Sequence, residues 1–141
     1  MKYSTHKSTI YWFMIFVLCS IAYQFIQDTL RPQYDGDNAM IRYFLGVAPN
    51  FFSAIGLPAL FIILIPQLFG IENNNKWLHE QKHITANIIS MTGLILWEFM
   101  QVKGNLHFDW NDILWTCIGA FVFQVIWYST PDTKKIIQSE Y

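Results

Sequence analysis

Four apolar segments of near-membrane length, at residues 10–26, 51–69, 84–100 and 113–128, constrain this chain more than any other feature. A helix needs about 20 mostly apolar residues to cross the hydrocarbon of a bilayer. Each segment reaches or approaches that length, and flanking Tyr and Trp residues extend it into the headgroup zone. Within hydrocarbon a chain must satisfy its own backbone polar groups, which a helix does unaided. The expected fold is therefore all-α, a bundle of four transmembrane helices forming one domain over residues 1–141. Composition agrees, with 53% hydrophobic and 13% charged residues, against roughly 25% charged in an average soluble domain. A net charge of -1 provides no field to hold nucleic acid. The expected surrounding is a lipid bilayer, without a nucleic-acid partner.

The first segment follows Lys2 and Lys7 as a signal peptide would, but no small-x-small cleavage site comes after it. It is expected to stay as an uncleaved span. Cys19 and Cys117 both fall inside apolar segments and read as small core or lipid-facing residues. Orientation follows from Lys and Arg. The termini and second loop carry Lys2, Lys7, Lys76, Lys82, Lys134 and Lys135, whereas the other side carries Arg31, Arg42 and Lys103. This asymmetry places both termini in the cytoplasm and turns loops one and three outward.

Loop one, residues 27–50, is the longest stretch between spans. Arg31-Pro32 and Asp35-Gly36-Asp37 are turn chemistry. Asp37 or Asn38 is placed to cap a short helix through Gly46, with Met40, Ile41, Phe44, Leu45 and Val47 on its apolar face and Arg42 opposite. Such a helix is expected to lie in the membrane interface. Pro49 then suits the first turn of the second span, which also contains Pro58 and Pro66, either as packing bends or as a hinge.

Polar residues recur at helical spacing inside the spans. Asn87, Ser90, Glu98 and Gln101 share one face of the third, and Asp109, Asp112, Thr116 and Gly119 one face of the fourth. The first span offers Ser20, Tyr23, Gln24 and Gln27, and the second Asn50, Ser53 and Gly56. Small and polar residues mark the helix–helix side in membranes, so the four stripes are expected to converge on one seam, polar toward its outer end. Charge near a membrane boundary is costly and tends to be functional. Glu98, Gln101, Asp109 and Asp112 are therefore the candidate site, with Arg42, Lys103 or His107 as ion partners. A network that merely holds the helices together is the plainer alternative to a headgroup-binding or proton-moving cleft.

Glu98-x-x-Gln101, a short loop, Asp109-x-x-Asp112-Ile113, and Gly119 seven positions on resemble the VanZ-like family. In that family a Glu and a Gln end one span and two aspartates open the next, usually followed by an Asn and two glycines. Here Thr116 stands at the Asn position, Gly119 matches the first glycine and Phe123 occupies the second. Asn50-Phe51-Phe52 with Gly56 and Pro58 loosely resembles the family's second span. The resemblance is good over residues 84–123, weak over 37–60 and absent in the first span. It implies a small multi-span protein of the bacterial inner (plasma) membrane, linked through the founding member to reduced teicoplanin susceptibility, with no agreed catalytic role. The expected ligand is then an envelope lipid or a lipid-linked cell-wall component, with no cofactor. A homo-oligomer or a larger membrane complex is the expected assembly.

One catalytic signature competes. His79-Glu80-Gln81-Lys82-His83 matches H-E-x-x-H, in which two histidines bind zinc and the glutamate acts as general base. A zinc site needs a third protein ligand. Glu98 lies fifteen residues beyond His83, or ~22 Å along one continuous helix, and Asp109 and Asp112 share that far side. A membrane zinc metallopeptidase is thus one alternative function. An accessory structural subunit and a small secondary transporter are others. The preferred reading is a polar loop whose His and Lys residues sit at headgroup level, which predicts no stoichiometric zinc in the detergent-purified protein. Near-stoichiometric zinc by elemental analysis, lost in His79→Ala, would establish the metallopeptidase instead.

Overall fold

The computed structural model describes the backbone of residues 2–69, 81–102 and 109–130, and the side chains of residues 8–68, 81–100 and 109–130. Helix α1 (Lys2–Phe25) continues through a π turn (Ile26–Leu30) into the single turn α2 (Arg31–Gln33). Helix α3 (Ala39–Phe69), α4 (Lys82–Val102) and α5 (Trp110–Ser129) follow. No strand occurs among the described residues. Among the described residues, three stretches are long and apolar enough to cross a bilayer: Ser8–Gln33, Ala39–Leu68 and Trp110–Ser129. They mark the chain as a membrane protein.

Two expectations change. The expected third span does form α4, yet α4 is absent from the three helices apolar enough to span. Its polar residues account for this, and they turn inward: Asn87, Ser90 and Glu98 are all buried. The expected short interfacial helix is not a separate element. Its residues are the first turns of the 31-residue α3, and Pro49, Pro58 and Pro66 all lie inside that helix. Asn38 does cap it, its Oδ1 accepting from the backbone N–H of Met40 at 3.0 Å and Ile41 at 3.3 Å. The turns after the cap are held upright by α5. Trp115 Nε1 donates to Tyr43 Oη at 2.9 Å, and the Phe44 and Trp115 rings meet edge to face at 5.7 Å. Val47 and Pro49 are buried where a bend into the interface plane was expected. A proline inside a membrane helix leaves its carbonyl partner to neighbouring groups, so Pro49 does not force a break.

Helix α3 is the hub, packing against α1, α4 and α5. Two glycines set its closest approaches. A Cβ on Gly56 would stand 2.9 Å from Cys19 Cβ of α1, and one on Gly119 of α5 only 2.6 Å from the Phe51 carbonyl oxygen and 2.8 Å from Ala54 Cβ. Small residues at such crossings let backbones draw together where the hydrophobic effect between helices is weak. Toward the other end of the bundle the core is aromatic. Trp12 of α1 is 1% exposed and stacks on Trp127 at 5.3 Å, with Phe123 at 5.7 Å. Ala59, Ile62 and Ile65 of α3 and Ala86 of α4 close around them. Of the free cysteines, Cys19 is half-buried and Cys117 exposed.

Replacing Gly119 by Ala is expected to lower thermal stability in detergent by about 1–3 kcal/mol, the usual cost of overpacking. Gly93 of α4 has nothing within 4 Å of a built Cβ, so Gly93→Ala serves as the control, neutral or stabilising by up to about 1 kcal/mol. Equal thermal melts for both variants would show that the α3–α5 crossing does not depend on that approach.

Candidate functional site: a charged cleft at one end of the bundle

The start of α2, the start of α3 and the start of α5 meet at one end of the bundle around a cavity of about 380 Å³. Arg31, Asp37, Arg42, Tyr43, Asp109 and Asp112 line it. The volume falls near the lower end of the roughly 300–1,000 Å³ typical of small-molecule sites.

Local chemistry places each group. Asp109 caps α5, its carboxylate accepting from the Asn111 backbone N–H at 2.8 Å and from Asn111 Nδ2 at 2.7 Å. A capping carboxylate satisfies an orphan N–H and meets the positive end of the helix dipole. Asp112 follows in the first turn. Tyr43 Oη, which accepts from Trp115, itself donates to Asn111 Oδ1 at 3.3 Å, tying the cap of α5 to α3. Arg31 reaches the cleft because α1 does not stop at its apolar boundary. The π turn carries the chain one further turn, and Arg31 Nη1 donates to Gln27 Oε1 at 3.3 Å. Arg42 Nη2 donates to the Gly36 carbonyl at 3.1 Å, folding the 34–38 turn against α3.

Behind the cleft lies Glu98, only 4% exposed. Asn50 Nδ2 donates to its Oε1 at 3.4 Å, and the same amide acts on the Asp112 carboxylate. Asn50 thus joins α3, α4 and α5. Deeper on α5, Thr116 donates to the Asp112 carbonyl at 2.8 Å, and Asn87 Nδ2 of α4 to the Ala120 carbonyl at 3.2 Å.

The expected single seam is in fact two. The stripes of α3, α4 and α5 meet at Asn50, Glu98 and Asp112. The stripe of α1 meets α3 separately, where Ser20, Tyr23 and Gln24 face Ser53 and Gly56 across a second crevice of about 240 Å³. Of the expected site residues, Arg42, Asp109 and Asp112 share the cleft and Glu98 backs it. Arg42 contacts a carbonyl oxygen rather than one of the acids. Gln101 lies in α4, but its side chain is outside the described residues, as are Lys103 and His107. Arg31, Asp37 and Tyr43 are cleft residues that the sequence did not single out. A turn at Arg31-Pro32 concealed the first, and the upright start of α3 brings in the last.

The H-E-x-x-H residues His79 and Glu80 lie outside the described residues. His83 is buried at the opposite end of α4. Its ring stacks on Trp127 at 4.8 Å with a 9° interplanar angle, and its Nε2 stands 3.3 Å from Tyr128 Oη. Among the described residues no three His, Cys, Asp or Glu side chains are grouped to hold a metal.

The fold and cleft define an all-helical membrane protein with a zwitterionic cavity at one end. Comparison with family models, curated proteins and solved structures finds no match to the chain.

Asp109 has two separable roles, as helix cap and as cleft charge. Asp109→Ala is expected to destabilise the protein by about 1 kcal/mol through loss of the cap, whereas Asp109→Asn keeps an equivalent cap and removes the charge alone. Matching thermal melts for the two variants would show that the cap contributes nothing measurable.

Proposed function

We propose that this is a VanZ-like integral membrane protein of the bacterial envelope that binds the polar headgroup of an envelope lipid or lipid-linked cell-wall component. The observation that carries this is the cleft of about 380 Å³ at the ends of the apolar helices, lined by both guanidinium and carboxylate groups. Charged groups gathered at a membrane boundary need compensating partners, and a headgroup is the polar species most abundant at that depth. The Lys and Arg asymmetry supports an outward orientation of this end. Glu98 and Asn50 form a polar wall behind the cleft, and Asp112 stands between wall and cavity. Through such binding the protein affects susceptibility to lipid-tailed glycopeptides of the teicoplanin type.

Asp112→Asn and Glu98→Gln, expressed at wild-type level in a host lacking the chromosomal copy, are expected to lower teicoplanin tolerance several-fold. A glycopeptide without a lipid tail provides the comparison. Full tolerance with both folded variants would separate the cleft from this phenotype.

A further inference from the structure

The cleft displays opposite charges that act on one another at a distance, as Arg31 does on Asp112, without direct contact among the described residues. Among the described residues, each guanidinium makes its hydrogen bond to an uncharged oxygen: Arg31 to the Gln27 side chain and Arg42 to the Gly36 carbonyl. Neither forms an ion pair with Asp37, Asp109 or Asp112, although all five line the same cavity. Arginine has five N–H donors in a planar fork, so each retains several for another partner. On the other wall, the Asp109 carboxylate is oriented by the cap of α5, and Asp112 is held from behind by Asn50.

We propose that the ligand itself bridges these walls: a headgroup joining a phosphate to a primary ammonium, as in a phosphoethanolamine. This rests on the headgroup-binding role above and specifies its chemistry. Guanidinium pairs suit phosphate oxygens, accepting bidentate geometry that lysine cannot match. Arg31 and Arg42 therefore take the phosphate. An ammonium has three donors and no acceptor, which fits two carboxylates and a phenol oxygen, so Asp109, Asp112 and Tyr43 take the amine. A purely anionic headgroup would meet the aspartates, and a purely cationic one the arginines. Specificity then comes from repulsion as much as attraction.

Native mass spectrometry of the full chain, released from mixed micelles, tests this with diacyl lipids of matched chains. The probes are phosphatidylethanolamine, phosphatidylglycerol and a cationic lipid lacking phosphate. Phosphatidylethanolamine is expected to be retained at least about tenfold over either of the others, the factor that 1.4 kcal/mol supplies. Asp109→Asn/Asp112→Asn should lower its retention to that of phosphatidylglycerol, and Arg31→Gln/Arg42→Gln should lower both phospholipids. Competition with soluble phosphoethanolamine separates the two sources of this chemistry. Ineffective competition assigns the site to the lipid, and full displacement at equal concentration assigns it to the free phosphoamine. Equal retention of the two phospholipids by the wild-type protein would overturn the zwitterionic assignment and leave headgroup binding standing. Absence of preferential retention of any probe would overturn both, independently of whether the variants fold.

Discussion

The approach of Gly119 to the Phe51 carbonyl governs the polar end of the molecule. It lets α5 lie directly against α3, with only the Ala54 methyl and the Phe51 carbonyl facing it at that level. The start of α5 is two turns away along the same helix, so Asp109 and Asp112 arrive beside the start of α3. Trp115 then bonds Tyr43, and Asn50 lies within reach of both Glu98 and Asp112. In a membrane the drive to associate comes mainly from packing and interhelical polar contacts. The glycine supplies the packing and permits the contacts.

The two ends of the bundle solve opposite problems. Around Trp12, Phe123 and Trp127 the helices are joined by ring stacking, with His83 laid flat on Trp127. At the cleft they are joined by capping, amide and phenol hydrogen bonds around a cavity. A site that must exchange a polar ligand gains from the second arrangement, since the aromatic end leaves it a fixed base.

Helix positions were legible from apolar length, and the buried faces from polar spacing. Asn50, Ser90, Glu98, Asp112, Thr116 and Gly119 all stand at helix contacts because periods of three and four residues are geometric. Less legible was where a helix ends. Pro49 and Arg31-Pro32 carry the local signals of a start and a turn, yet tertiary contacts override both. Trp115 props up the first turns of α3, and a π turn prolongs α1. No local pattern contains the partner residue 72 positions away. The same limit hid Arg31 from the candidate site. Its role depends on helical continuation, whereas the role of Asp109 is written in its own cap sequence.

Helix α4 has a further consequence, for how the protein comes to be folded. Its inward groups, Asn87, Ser90 and Glu98, make it a poor candidate to partition into lipid by itself, since polar and charged side chains oppose insertion at the translocon. Among the described residues, Asn87 finds its acceptor on Ala120 of α5, and Glu98 one of its donors on Asn50 of α3. The inward groups of α4 are thus satisfied by both neighbours. The polar face of α4 therefore ties its folding to the presence of both α3 and α5.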